Sequence, residues 1–273
     1  MAQAHHWQRA SLILLLCGLG WLNAACGTLP DGRRWGQEVT LCPGWERLGR
    51  AVVRAALDPG TWVPAGGALA FQIDSWDRNL TNWAARRQPI FGSREGADEA
   101  TDYLVGALLG AYVISGLATP SGEKPAEWAW AKLKGFSVGA GAVALTQAST
   151  TGLKHAVGRT RPDGSSNRSF PSSSTSLAGV YGGLTSRNLD YLPIPAWART
   201  GLRGGVATLM AATAWSRLEG KFHYPSDVLA GMALGNFIGI FLNDAFIGAN
   251  DPNVWVTVQP TSKDIFLSLQ WAY

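Results

Sequence analysis

Residues 216–242 read SRLEGKFHYPSDVLAGMALGNFIGIFL, and the fold turns on how that stretch is divided. Its first third gathers Ser216, Arg217, His223 and Asp227 around the break Tyr224-Pro225-Ser226. The remainder, out to Phe246, is apolar at helical spacing, with small residues three and four positions apart. Small residues at that spacing let helices pack closely, so a helical bundle is the expected architecture.

Working outward, Ala- and Gly-rich helical runs occur near Ala196 to Arg217, Ser173 to Thr185, Ala126 to Val157, Asp98 to Leu117 and Trp62 to Ile73. The expected fold class is all-α, a bundle of about six core helices. After Asp251-Pro252 the pattern changes: Val254, Val256 and Val258 alternate with Trp255, Thr257 and Gln259, and Leu267, Leu269, Trp271 and Tyr273 alternate beyond a turn at Pro260 to Asp264. That alternation predicts a C-terminal β-hairpin over 251–273, which must dock on something, because a lone hairpin is marginal in water.

The chain has 273 residues, 47% hydrophobic and 15% charged, with a net charge of +4. This suits one substantial core, expected over residues 61–250. Lys and Arg are scattered, which argues against a nucleic-acid partner. The start has a secretory layout: Arg9, an apolar run from Leu12 through Leu22, then Ala24-Ala25. We expect residues 1–25 to be a signal peptide and 26–60 a linker leading into the first helix. Cys26 stands where bacterial lipoproteins receive lipid, so the expectation is an exported protein of the cell envelope. It would be periplasmic and membrane-anchored through Cys26, most simply at the outer membrane; the rival is a Cys26–Cys42 disulfide. A mean hydropathy of +0.03 favours a mostly water-soluble bundle over one that spans the bilayer.

Three segments carry chemistry. In the first, Lys154 closes a helix and Arg161-Pro162 follows seven residues later. Cations at a helix C-terminus also complement its dipole. In the second, Pro171-Ser172-Ser173-Ser174 precedes a helix, where serines cap and where backbone N–H groups can hold an anion. The third is Ser216-Arg217, five residues, His223, three residues, Asp227. Four fixed positions of ordinary residue types coincide in roughly one chain of this size in several hundred. Asp227 lies within reach of the imidazole and can fix its tautomer.

The combination K-x6-RP, then PS, then SR-x5-H-x3-D resembles the signature of the type 2 phosphatidic acid phosphatase superfamily, which includes bacterial nonspecific acid phosphatases and vanadium haloperoxidases. The resemblance implies that Lys154, Arg161, Ser172, Ser173 and Arg217 bind phosphate, that His223 attacks phosphorus, and that Asp227 orients His223. It implies no cofactor, and no metal-ligand set is visible in the sequence. The partner implied is a phosphorylated small molecule or lipid.

In one respect the chain departs from that pattern: the family reads PSGH where this chain has Ser174 in the histidine's place. General acid–base assistance is worth typically ~10²–10⁴ in rate. Water, a substrate group or His155 would have to replace it. A diphosphate tolerates the loss best, because its leaving phosphate has a second pKa of ~6. The expectations are therefore a hydrolase of monoesters, lipid phosphates or diphosphates. The alternatives are a non-catalytic phosphate-binding scaffold and, less favoured, a vanadate-dependent peroxidase.

Overall fold

A computed structural model describes residues 34–248 and the backbone of 254–260 and 265–271. Among the described residues there are eight α-helices. They are α1 Gly44–Leu57, α2 Pro59–Ala70, α3 Trp76–Arg87, α4 Arg94–Ala118, α5 Pro125–Val157, α6 Ser173–Asp190, α7 Ala196–Glu219 and α8 Pro225–Leu242, which runs on as a π-helical turn Asn243–Gly248. The body is a helical bundle, as the small residues in its apolar runs suggest. The backbones of β1 Val254–Pro260 and β2 Ile265–Trp271 run antiparallel, with Val254 opposite Trp271. The expected signal peptide, Cys26 with either of its expected fates, and the expected turn at 261–264 lie outside the described residues.

Local chemistry sets the helix ends. Proline occupies the first turn of α2, α5 and α8, where its missing N–H costs nothing. Ser93 caps α4 by accepting from the Gly96 N–H at 2.8 Å, and Asp58 caps α2 through the Gly60 N–H at 2.9 Å. Gly158, at φ +60°, terminates α5 in the left-handed conformation that only glycine adopts freely.

At the centre lies α6, with Ala178, Val180, Leu184 and Leu189 all buried. It contacts α4, α5, α7 and α8. The closest approach is to α8: a Cβ added at Gly235 would fall 2.0 Å from the Ser176 carbonyl oxygen, and one at Gly179 would fall 2.3 Å from that of Met232. Backbone therefore touches backbone, in the manner of small-residue helix crossings. At the far end from Ser172, Arg187 grips Asp244 through two hydrogen bonds of 3.0 and 3.1 Å, while Asn236 donates to Asp58 and Thr61. These polar ties join α2, α6 and α8.

Two expectations need correction. The stretch 26–60 is not a linker where it is described: α1 and the start of α2 fall within it, and Trp35 is 1% exposed in a cluster with Tyr191 and Ile247. Its Gly and Pro content reads as a linker only if the buried indole is overlooked. The helix α3 was not expected at all. Its buried positions are Asp77, Thr81 and Ala84, a polar and small face that carries no apolar periodicity.

The outer surface also departs from a water-soluble pattern. In α5 the buried residues include Lys132, Gly135, Gly139, Thr146 and Thr150, whereas Trp130, Leu133 and Leu145 are exposed. Arg94–Ala118 and Pro225–Gly248 are long and apolar enough to cross a membrane by length and composition.

Gly235→Ala is expected to destabilise the fold by about 1–3 kcal/mol, since the obstructing atom is backbone and cannot swing aside. Gly201→Ala in α7, with nothing within 4 Å of its added Cβ, should be neutral or gain up to ~1 kcal/mol. Denaturant midpoints of the two variants test the contrast.

Candidate active site

One end of the bundle collects the last turns of α5 and α7, the first turns of α6 and α8, and the loop from Gly158 to Ser172 that folds across them. Backbone bonds hold these pieces in register. The Ser172 N–H donates to the Asp227 carbonyl at 3.0 Å, the Ser169 N–H to that of Arg159 at 2.9 Å, and the His223 N–H to that of Arg217 at 3.3 Å. Lys154 Nζ donates to the Arg168 carbonyl at 2.7 Å. Thus Lys154, Arg161, Ser172, Arg217, His223 and Asp227, spread over 74 positions of sequence, converge at one end of the bundle. Ser173 and Ser174 are half-buried in the first turn of α6.

What distinguishes this end is its set of unpaired buried atoms. Arg161 Nε, Ser172 Oγ, Arg217 Nε and His223 Nδ1 are all buried without a hydrogen-bond partner. Buried polar atoms are nearly always paired, so the first three, in one cluster, describe a site shaped for something polar, while Nδ1 faces Asp227. The Ser172 side chain makes no capping bond to α6, so capping does not account for that serine.

The electrostatics have the same sense. Burial lowers the Lys154 pKa to about 8, and Arg161 and Arg217 push it the same way, with Asp227 opposing. Burial lowers His223 to about 4, helped by Arg217 and Lys154 and opposed by Asp227. The imidazole is therefore neutral around pH 7, with a lone pair available. Lys154, Arg161 and Arg217 repel one another across a space that an anion would neutralise.

The His223–Asp227 pair differs from the expected hydrogen bond. Nδ1 lies 3.7 Å from Oδ2, too far for one. The carboxylate is instead saturated by the Tyr224 N–H at 2.9 Å, the Ser169 hydroxyl and Arg159 Nη1 at 2.7 Å. Asp227 faces the ring without bonding it. His155, the sequence candidate for a substitute acid, is exposed.

The sequence reading missed Arg159 and Asp77. Arg159 donates to Asp227, to the Ser226 hydroxyl at 2.7 Å and to Asp77 at 2.7 Å, and its guanidinium lies 4.3 Å from the centre of the Tyr224 ring. Asp77 also accepts from the Ser226 N–H at 2.8 Å. This network seats α3 and the 158–172 loop against the start of α8. Arg159 lies inside the first motif, but the K-x6-RP spacing singles out Arg161 and gives Arg159 no role; the fold shows that Arg159 turns to the carboxylates.

Residues 138–248 match the model of the PAP2 superfamily, a span that contains every residue from Lys154 to Asp227. The chain is similar to the crystal structure of the first transmembrane PAP2 type phosphatidylglycerolphosphate phosphatase from Bacillus subtilis. The identity is 21% and the TM-score 0.51, over 70% of this chain and 94% of that one. At that identity the likeness is one of fold. No curated protein sequence matches.

Two measurements follow. Arg159→Met leaves the carboxylates of Asp77 and Asp227 buried without their cation, and the urea midpoint should fall by an amount equivalent to about 3–5 kcal/mol. Affinity for inorganic phosphate, corrected for the ionisation of phosphate itself, should fall on the alkaline side as Lys154 loses its charge near pH 8. Lys154→Arg should move that alkaline limb upward.

Proposed function

We propose that this chain is a phosphohydrolase acting on phosphate monoesters, lipid phosphates or diphosphates through a phosphohistidine at His223. The observation that carries the reading is the buried, unpaired cluster of Arg161 Nε, Ser172 Oγ and Arg217 Nε beside a neutral imidazole. Two guanidiniums, an ammonium and a hydroxyl suit the tetrahedral oxygens of a phosphoryl group, and guanidinium geometry matches two oxygens at once.

In this mechanism the Nε2 lone pair of His223 attacks phosphorus, and the bond to the leaving oxygen breaks, its electron pair going with that oxygen. Lys154, Arg161 and Arg217 stabilise charge on the equatorial oxygens as it spreads. Ser172 and the first-turn N–H groups at Ser173 and Ser174 add neutral donors. Asp227 faces Nδ1 and favours the cationic ring that forms on attack. Water then attacks the phosphohistidine, the P–N bond breaks and inorganic phosphate leaves. Ser174 supplies no proton near neutrality, so the leaving oxygen departs unaided or with a proton from water.

The same reading puts the chain at a membrane of the cell envelope. The apolar exposed positions of α5 and the largely unburied apolar stretch of Arg94–Ala118 support contact with lipid. A cleaved signal peptide, lipid on Cys26, a periplasmic site and the outer membrane remain parts of the proposal that rest on the N-terminal sequence. The second reading, a phosphate-binding scaffold without turnover, is favoured by one observation, the serine at 174.

Phosphate release from a monoester and a diphosphate separates the two readings. The expected result is turnover that His223→Ala abolishes, and a rise of at least ~10-fold in monoester hydrolysis for Ser174→His. Phosphate binding with no release by either form, and none after Ser174→His, would establish the scaffold.

A further inference from the structure

We infer that Arg94 binds the second phosphate of a diphosphate substrate, so that the leaving group at this site is itself a phosphate. The inference rests on the phosphohydrolase reading above and narrows its substrate class. It begins from a helix face that the motifs do not touch. Arg94, Asp98 and Thr101 stand on one side of α4, at the spacing that aligns side chains along a helix. Two of the three reach the end of α7: Asp98 accepts from Arg217 Nη1 at 2.7 Å, Thr101 accepts from the same nitrogen at 3.1 Å, and the Thr101 and Ser216 hydroxyls meet at 2.7 Å. The first turns of α4 thus form one wall of the phosphate site.

Arg94 sits on that wall beside Arg217. The two guanidinium carbons lie 4.4 and 4.1 Å from the centre of the same ring, that of Phe222, so they are no further apart than those distances laid end to end. Phe222 immediately precedes His223. Two cations on the ring of the residue that precedes the nucleophile are near enough to each other to take one phosphoryl group each of a single diphosphate. Their exposures differ in the way such a substrate requires. The side chain of Arg217 is 9% exposed and that of Arg94 is 42% exposed. The inner cation suits the phosphoryl group under attack, and the outer one suits the group at the mouth. Asp163 engages Arg94 through Nη2 alone, at 2.6 Å, and a guanidinium offers five donors.

The position is also rigid. The buried carboxylate of Glu219 accepts from the Phe91 N–H at 2.7 Å, the Gly92 N–H at 3.1 Å and Trp215 Nε1 at 2.8 Å. It thereby fastens the loop leading to α4 onto the turn of α7 that carries Arg217. Ser93 then caps α4 directly before Arg94.

A separate observation leads to the same substrate class. Ser174 cannot hand a proton to a departing alkoxide, whereas a departing phosphate is weakly basic and needs none. When the bridging P–O bond breaks, its electron pair stays on the leaving phosphate, and the guanidinium of Arg94 offsets that charge electrostatically. Arg94 thus meets by charge the demand that an imidazole at 174 would meet by protonation.

The test compares Arg94→Gln with the parent chain on farnesyl diphosphate, adenosine diphosphate and an alkyl monophosphate. The expected result is a fall in kcat/KM of ~10-fold or more on whichever diphosphate is hydrolysed, against ~2-fold or less on the monoester; lipid-linked and soluble diphosphates share the anion, and their ratio reports the tail. Arg94→Lys should recover part of the loss. Asp163→Asn breaks the same ion pair while keeping the Arg94 charge and should spare diphosphate turnover. If it reproduces the Arg94→Gln defect, or if Arg94→Gln harms all substrates equally, Arg94 is a structural tie and the inference is overturned. Calorimetry with phosphate and methylenediphosphonate separates this failure from that of the broader reading. We expect the diphosphonate to bind at least ~10-fold tighter, a margin that Arg94→Gln removes. Equal binding of the two overturns the Arg94 site alone, and binding of neither overturns the phosphohydrolase reading with it.

Discussion

The direct backbone contact between α6 and α8 is the constraint from which the rest of the structure follows. Gly179 and Gly235 let the two helices approach until carbonyl oxygens occupy the space a methyl group would need. Their N-termini consequently lie side by side, and the Ser172 N–H reaches the Asp227 carbonyl. A wider crossing would separate the serine-rich first turn of α6 from the imidazole that precedes α8. Site geometry is thus set several turns away, by residues that carry no functional group.

Around this pair the charges fall into two groups with opposite roles. Arg159 is fully engaged, its donors directed to Asp227, Asp77 and Ser226, and it closes the structure from below. Arg161, two residues later, keeps a buried nitrogen unpaired beside Lys154, Ser172 and Arg217. Leaving polar atoms unpaired and like charges close together is costly to stability, and the cost falls where an anion would relieve it. Burial is the main reason that His223 stays neutral, and the charges of Arg217 and Lys154 act in the same direction.

The exterior of the bundle obeys a different rule. Along α5 the small and polar residues face inward and Trp130, Leu133 and Leu145 face outward. Hydrophobic burial cannot be the only force that assembles such a helix; close packing of small residues and polar ties such as Lys132 Nζ to the Thr119 carbonyl, at 2.6 Å, take a larger share. Mean hydropathy over the whole chain averages the two surfaces and so conceals which one is outside.

By itself, the sequence determined that the chain is a helical bundle, because small and apolar residues at helical spacing are a local pattern, and the spacing of Lys154, Arg161, Arg217, His223 and Asp227 marked the candidate cluster. It also exposed the missing imidazole at Ser174, which is a matter of identity alone. Only the tertiary structure decided what Arg159 does, since its partners Asp77, Ser226 and Asp227 come from distant segments. The helix α3 and the core position of Trp35 were illegible for a related reason: their burial depends on partners far away in sequence, Ser226 and Arg159 for Asp77, Tyr191 and Ile247 for Trp35. The placement of Arg94 belongs with them, because its contact with Phe222, the ring that Arg217 also meets, joins segments far apart in sequence.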